Sequence, residues 1–199
     1  LNLETLQKYN LDEEKKQKII RTTLDETSRL DFLTNNILVA AQLENSNFKA
    51  EKEELDLTAL LKDCIRQFNN RFPERIFVED IEYDTDIKGD SLLLQMLINN
   101  LLENATKYSP RESPISTILK RTKVGIELQI KDQGIGIEET EKAKIFNKFY
   151  RIGSEATRKT KGTGLGLYLC RKIARDHNGD ITMTKNEPQG SIFAVTFKS

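Results

Sequence analysis

The sequence has 199 residues, and its 31 lysine and arginine side chains balance 31 aspartates and glutamates, so the formal net charge is zero. A neutral chain has no global basic field that would attract nucleic acid, and any recognition of an anion must therefore be local. No apolar run approaches the ~20 residues that a membrane-spanning helix needs, so this part of the protein is expected to make no membrane contact.

The first 48 residues are predicted to be helical. Residues 1–9 look like the end of one helix, and Asp12 is placed to cap a second helix that reaches about Glu44. Apolar residues recur along this second helix at alternating spacings of three and four, which predicts one long apolar stripe. Nine preceding residues cannot cover such a stripe, so we expect a second copy of the chain to cover it in a helical bundle.

A domain boundary is predicted between residues 48 and 49, within a linker near residues 45–54 that is rich in asparagine and charge. Beyond it, helices and strands alternate without regular βαβ units, which favours helices on one face of a largely antiparallel sheet. The predicted helices cover residues 56–72 and 92–109, and the predicted strands lie near residues 77–83, 115–119, 126–130, 181–183 and 193–197. Cys64 and Cys170 fall in apolar helical patterns and are expected to be buried, reduced thiols.

The helix at residues 92–109 combines a buried face with a polar sector. At ~100° per residue, one third of its circumference is apolar; these positions are Leu94, Leu97, Ile98, Leu101, Leu102 and Ala105. Asn100, Asn104 and Lys107 fall in the neighbouring sector, about 60° wide. This arrangement is typical of the wall of a polar cavity, although an ordinary solvated face would give the same pattern.

Two glycine-containing segments follow. Asp132 comes directly after a predicted strand, and Gly134 and Gly136 allow the backbone after it to approach a ligand closely. The Asp132 carboxylate could accept hydrogen bonds from an amino group, although an ordinary Asp-Gly turn is the alternative.

The second glycine segment precedes a predicted helix, where backbone N–H groups can face an anion. It comprises Gly162, Thr163, Gly164, Leu165, Gly166 and Leu167, directly after Arg158, Lys159 and Lys161. No strand precedes it, which disfavours a dinucleotide-binding fingerprint, and it lacks the GK[ST] of a Walker loop.

An aromatic segment, residues 145–151, lies between the two glycine segments. Phe146 and Phe149 are three residues apart, and the simplest interpretation places both in the core. They could also anchor residues 152–161, a polar stretch that is expected to be a mobile lid.

Taken in order, the segments NNLLENATKYS, DQGIGI, IFNKFYR and GTGLGL resemble the N, G1, F and G2 boxes of bacterial sensor histidine kinases, members of the Bergerat ATP-fold superfamily. The resemblance implies an α+β fold: an α/β two-layer sandwich preceded by a helical hairpin of a dimeric four-helix bundle. Residues 1–48 would then be a partial dimerisation and phosphoacceptor domain, and residues 49–199 the ATP-binding catalytic domain.

The resemblance also implies roles for individual residues. Asn104 would bind Mg²⁺, with Asn100 one turn earlier, and Lys107 and Arg151 would meet the phosphates. Tyr108 would lie at the base or ribose, and Asp132 would accept from the adenine amino group. The remaining ATP-binding positions would be Gly134, Gly136, Ile137, Tyr150, Lys161, Gly162, Thr163, Gly164, Leu165, Gly166 and Leu167. A single carboxamide is a poor Mg²⁺ site, so the metal and ATP should bind together.

The family's acceptor box, H-[ED]-x-x-x-P, is missing, and the sequence contains one histidine, His177. His177 is expected at a helix end on the surface, where Asn178 or Gly179 can form a left-handed cap, and it is not expected to be the acceptor. The simplest interpretation is a part of a longer protein whose acceptor histidine lies outside this sequence, and the alternative is a degenerate family member that lacks it.

The predicted function is that of a protein-histidine kinase in a two-component system. Its expected partners are a second copy of the chain and the receiver domain of a response regulator. The expected location is the cytoplasm, with the parent protein anchored in the membrane. The alternatives are an ATP-operated clamp, as in gyrase, Hsp90 and MutL, and a nucleotide-sensing scaffold without transfer activity.

Overall fold

A computed structural model describes Leu6 and residues 11–45, 49–153 and 162–198. The chain divides into two compact units, residues 1–45 and 46–199. Apart from Leu6, the helix predicted over residues 1–9 lies outside the described residues, so the structure describes only the second helix of the predicted hairpin.

The first unit contains one long helix, α1, at Glu13–Glu44. The side chain of Asp12 accepts a hydrogen bond from the Lys15 amide at 2.9 Å, which confirms the predicted cap. Large apolar side chains along α1 are 41–62% exposed in the single chain; they are Ile20, Leu24, Leu30, Ile37 and Leu38. Within the described part of the protein, no helix has the length and apolar character that a membrane span requires.

The second unit mixes helices and strands in the following order. Its first half contains β1 at Glu53–Asp56, α2 at Leu57–Arg71, β2 at Phe77–Ile81, β3 at Asp86–Gly89 and α3 at Ser91–Tyr108. Its second half contains β4 at Ile115–Thr122, β5 at Gly125–Lys131, a short 3₁₀ turn at Glu139–Glu141, α4 at Gly166–Asp176, β6 at Gly179–Lys185 and β7 at Ser191–Lys198.

A five-stranded sheet in the order β2-β4-β5-β7-β6 supports the unit. Its pairs are antiparallel except β2 with β4, so the largely antiparallel sheet is confirmed. Alternate residues of β4, β5 and β7 are buried, and the apolar faces of α2, α3 and α4 are buried as well. This is the predicted sandwich of helices on one face of a sheet.

Aspartate caps begin α2 and α3. The Asp56 carboxylate accepts from the Ala59 amide at 3.0 Å, and Asp90 accepts from the Leu92 and Leu93 amides at 3.1 Å. All six apolar positions predicted for the buried face of α3 are at most 3% exposed. The central helix is therefore predicted correctly in both its start and its orientation.

A two-stranded antiparallel sheet of β1 and β3 was not predicted. Residues 53–54 were assigned to the charged linker, but they pair with Gly89 and Lys88. Three of the four residues of β1 and two of the four of β3 are exposed, and both strands are too short to show the alternating apolar pattern that indicates a strand.

His177 is buried, and its expected position on the surface is wrong. Its Nδ1 donates to the Ile173 carbonyl at 2.8 Å, and its Nε2 accepts from the Asp90 amide at 2.9 Å. Because a backbone amide can only donate, the ring is neutral with its proton on Nδ1. Burial lowers the pKa of this imidazole. Asn178 has a φ of 57°, so the left-handed conformation falls on the first of the two predicted positions.

Candidate functional site

The helix α3 brings four of the candidate residues to one region. Asn100 is 2% exposed, and its Nδ2 donates to the Met96 carbonyl at 3.0 Å. Asn104 and Lys107 are half-buried, and the Lys107 ammonium lies 5.0 Å from the centre of the Tyr108 ring. Tyr108 itself is 39% exposed. Two carboxamides and a cation therefore lie one turn apart, beside the buried face of the helix.

Asp132 lies directly after β5 and is 5% exposed. Its Oδ1 accepts from the Gly134 amide at 2.7 Å and from the Ser191 amide at 3.3 Å. Burial raises the pKa of the carboxyl, and the two amide hydrogen bonds partly oppose this effect. Among the described residues, no hydrogen bond is made to the second oxygen, Oδ2.

Gly134 packs against the carboxyl end of α3. A Cβ on this residue would lie 2.6 Å from the Tyr108 carbonyl oxygen and 2.8 Å from Asp132 Oδ1, which is too close for any side chain. Gly136 has a φ of 72°, and Ile137 after it is half-buried. The first glycine segment is thus held in contact with the helix that carries Lys107 and Tyr108.

The second glycine segment meets the same helix. A Cβ on Gly166 would lie 2.6 Å from Asn100 Oδ1, and one on Gly162 would lie 2.9 Å from Lys107 Nζ. These approaches bring together α3 residues 100–108 and segments 132–137 and 162–167, which we call the glycine-lined site.

The second segment leads into α4 through Leu165, which is 2% exposed and makes no side-chain cap. Thr163 and Leu167 are half-buried, and the Thr163 hydroxyl accepts from the Leu165 amide at 3.4 Å. The residue at the N-cap of α4, Leu165, therefore contributes no side-chain hydrogen bond to the first amides of the helix. Such amides, together with the helix dipole, favour an anion.

The aromatic segment is tied to the second glycine segment. The Phe149 amide donates to the Gly164 carbonyl at 3.0 Å, and Gly164 has a φ of 73°. A Cβ on Gly164 would lie 2.6–2.8 Å from backbone atoms of Phe149 and Tyr150. The Tyr150 hydroxyl is hydrogen-bonded to the Glu141 carboxylate, and Arg151 after it is half-buried.

Phe146 is buried, but Phe149 is 63% exposed with a φ of 63°, so its expected place in the core is wrong. Residues 139–150 form a short 3₁₀ turn and further turns, so a spacing of three does not place both rings on one face. Lys161 and residues 154–160, which make up most of the predicted lid, lie outside the described residues.

Sequence reasoning missed two groups of residues at this site. Arg75 donates from its guanidinium to the carbonyls of Thr106, Ser109 and Pro110, and so caps the carboxyl end of α3. Asn186 and Gln189, in the turn between β6 and β7, donate to carbonyls of the first glycine segment. The composition Asn-Glu-Pro-Gln-Gly predicts a turn there but not what the turn contacts.

A metal at this site would need ligands beyond the protein. Within the described parts of the chain, no group of three or more His, Cys, Asp or Glu side chains could hold a metal ion. The carboxamide oxygens of Asn100 and Asn104 are hard donors that suit Mg²⁺, which usually keeps waters and shares a ligand's phosphate oxygens.

Comparison with known proteins matches more than half of the chain to a defined family. Residues 89–199 match the profile of the histidine kinase-, DNA gyrase B- and HSP90-like ATPases. The sensor protein kinase WalK of Staphylococcus aureus is 31% identical over 188 residues, which are 93% of this chain and 45% of that sequence. Longer WalK sequences from strains of the same organism are covered to 31%. The chain thus spans less than half the length of these relatives.

Solved structures of similar proteins agree with the fold. The mycobacterial sensor histidine kinase MprB has a TM-score of 0.66 and 26% identity, covering 74% of this chain and 97% of that one. Full-length ShkA, solved in complex with AMPPNP, has a TM-score of 0.72 at 20% identity, covering 96% of this chain and 41% of that one.

Proposed function

The chain belongs to the histidine kinase-, DNA gyrase B- and HSP90-like ATPase family and carries the ATP-binding domain of sensor histidine kinases, and on that premise we propose that it binds Mg·ATP and transfers the γ-phosphoryl group to a protein histidine. The observation that carries the proposal is the close approach of both glycine segments to α3. Gly134, Gly162 and Gly166 each leave space that a Cβ would fill, beside Tyr108, Lys107 and Asn100 respectively.

The first glycine segment is proposed to bind the adenine. Asp132 Oδ1 is already held by two amides, so Oδ2 is the oxygen that can accept from the exocyclic amino group. Gly134 and Gly136 leave room for the base, with Ile137 against it, and Tyr108 lies at the ribose or the base edge. Shape and one polar anchor together are the usual means of recognising a small planar ligand.

Asn104, Lys107 and Arg151 are proposed to hold the metal and the phosphates. Asn104, with Asn100 one turn earlier, would supply Mg²⁺ with a carboxamide oxygen, and the remaining ligands would come from phosphates and water. Lys107, Arg151 and Lys161 would neutralise phosphate charge. Backbone amides of residues 162–167, together with the N-terminus of α4, would face the same phosphates, and Tyr150 would fix the start of the lid.

The transfer would form a bond between phosphorus and an imidazole nitrogen of the acceptor, while the bond from the γ-phosphorus to the bridging oxygen breaks and ADP leaves. Positioning and charge stabilisation are the protein's share, since phosphoryl transfer leaves little covalent work to side chains. His177 cannot be the acceptor, because it is buried and both of its ring nitrogens are hydrogen-bonded. We therefore propose that the acceptor is a histidine outside this sequence.

We further propose the partners and location of the parent protein. The exposed apolar side chains of α1 would be covered by the same helix of a second copy, which would form a dimer through a helical bundle. The next recipient of the phosphoryl group would be the receiver domain of a response regulator. We place this part in the cytoplasm, where ATP is available, and the parent protein in the membrane.

Calorimetric titration with ATP, with and without Mg²⁺, tests the proposal. Asn104→Ala should abolish the tightening of ATP binding by Mg²⁺, whereas Asn70→Ala, at an exposed position of α2, should bind like the parent protein. Unchanged Mg²⁺ dependence in Asn104→Ala would remove the metal assignment, and no ATP binding by the parent would remove the function.

Transfer is tested with γ-labelled ATP. The 199-residue chain should not label itself, but it should label a longer form of the protein that contains the acceptor helix and carries Asn104→Ala, giving an acid-labile, base-stable product. Label on the 199-residue chain that disappears in His177→Gln would contradict the assignment of the acceptor. Binding without transfer to the longer form would favour a nucleotide-sensing scaffold.

A further inference from the structure

The turn between β6 and β7, residues 186–190, packs against the loop that carries Asp132. Asn186 Nδ2 donates to the Asp132 carbonyl oxygen at 2.8 Å, and Gln189 Nε2 donates to the Gly134 carbonyl oxygen at 2.8 Å. These two carbonyls lie on either side of Gln133. Two side chains of one turn therefore hold the 132–133 and 134–135 peptide groups of the loop that carries Asp132.

The backbone of the turn is held close to the same loop. Gly190 has a φ of 116°, and a Cβ on it would lie 2.0 Å from the Asp132 carbonyl oxygen. The Asn186 amide donates to the Gly190 carbonyl at 3.1 Å and closes the turn. The Asp132 amide donates to the Ser191 carbonyl at 2.9 Å, so the turn and the loop meet without a side chain between their backbones.

These contacts determine the orientation of the Asp132 carboxylate. Asn186 holds the 132–133 peptide group and Gln189 the 134–135 group. The 133–134 group between them carries the Gly134 amide, which donates to Asp132 Oδ1 at 2.7 Å. The Ser191 amide, which follows the turn, is the second donor to Oδ1. Because Oδ1 is held by two amides, the position of Oδ2 is fixed as well.

We infer that Asn186 and Gln189 are positioning residues that set the preference of the site for adenine by fixing the loop that aims the Asp132 carboxylate. They act through the backbone of residues 132–134. This inference rests on the proposed function, because a base preference has meaning only if the loop binds adenine.

The inference is tested with isosteric variants. Asn186→Asp and Gln189→Glu keep the shape of each side chain but replace the donating NH₂ by oxygen, which then faces a carbonyl oxygen. In the double variant, the ratio of the dissociation constants for Mg·GTP and Mg·ATP should fall about tenfold, mainly through weaker ATP binding. Gln189→Met, which removes one donor without adding charge, should lower the ratio in the same direction.

The matched control is the double variant Gln67→Glu and Asn70→Asp, which makes the same chemical and charge changes on the exposed side of α2. It should keep the ratio of the parent protein. Added negative charge alone weakens the binding of Mg·ATP and Mg·GTP equally. A loss of stability alone lowers the melting temperature without changing the ratio of the two dissociation constants. The ratio therefore isolates the positioning role.

Three results would overturn the inference. An Asn186→Asp, Gln189→Glu double variant that is folded and keeps the parental ratio would refute it while leaving the proposed function intact. If the double variant does not fold, an unchanged ratio in Gln189→Met has the same meaning. A parent protein that binds ATP and GTP equally, or neither of them, would refute the adenine assignment and the inference together.

Discussion

Replacing Gly166 by alanine should weaken Mg·ATP binding without weakening the fold. Gly166 is the first residue of α4, and its backbone needs no left-handed conformation. Its added Cβ would lie 2.6 Å from Asn100 Oδ1, and since Cβ atoms essentially never come closer than 3.0 Å to another heavy atom, the oxygen must retreat by at least 0.4 Å (3.0 − 2.6). Asn100 is 2% exposed, so its side chain has no solvent to move into.

Two opposing effects give the expected magnitudes. Alanine is a better helix former than glycine by up to about 1 kcal/mol, which should offset the displacement of one carboxamide, so the free energy of unfolding should change by less than about 1 kcal/mol. A hydrogen bond to a charged group contributes about 1.5–3 kcal/mol. If Asn100 serves the metal and phosphates, its displacement should weaken Mg·ATP binding roughly 10- to 150-fold.

A double-mutant cycle supplies the assay. Dissociation constants for Mg·ATP are measured by calorimetry for the parent, Gly166→Ala, Asn100→Ala and the double variant, with urea unfolding of each. Once Asn100 is alanine, the added methyl group meets no oxygen, so the Gly166 change should alter affinity by less than about twofold. Equal losses at Gly166 in both backgrounds would show that the methyl group acts elsewhere and would refute the reasoning.

Three further predictions follow from contacts at the site and behind it. Asp132→Asn should bind ATP more weakly but GTP equally well. The asparagine side chain has one accepting oxygen, which the two backbone amides occupy, and its NH₂ group cannot accept from the adenine amino group. Unchanged base preference in calorimetry would contradict the assignment. The free energy of unfolding should rise as pH increases through about 6.5, since burial lowers the folded-state pKa of His177 and the unfolded chain binds the proton more tightly. This pH dependence should flatten in His177→Gln, and because His177 is the one histidine in the sequence, a slope that persists there would refute it. Arg75→Met should lower the free energy of unfolding by about 2 kcal/mol through loss of the cap on α3. The control Arg111→Met, at an exposed position, should lower it by no more than ~0.5 kcal/mol. An equally small loss in Arg75→Met would show that the cap contributes little.

The parts of the fold that the sequence predicts are those with dense local patterns. The helix α3 has six apolar positions at helical spacing and an aspartate at its start, so its limits and its buried face follow from 3.6-residue geometry. The glycine segments are weak signals one at a time. Their order along the chain made the family recognisable, and the family profile now confirms it.

The parts that were missed depend on contacts between distant residues. His177 meets Asp90 across 87 positions, and Arg75 reaches Ser109 across 34. Single polar residues carry no periodicity, so no pattern distinguishes a buried polar side chain from an exposed one. Phe149 was misplaced because a helical spacing was assumed where the backbone turns. The strands β1 and β3 were missed because a mostly exposed sheet needs no apolar alternation.

The burial of His177 gives the molecule a built-in reporter. A chain with one histidine yields one set of imidazole resonances, without assignment by mutagenesis. The ring joins the last turn of α4 to the first residue before α3 through its two nitrogens, so its proton position and chemical shifts depend on how these two helix ends are aligned. Because the same helices carry Asn100 and Gly166, one signal remote from the phosphates can follow a change in their relative position during a nucleotide titration.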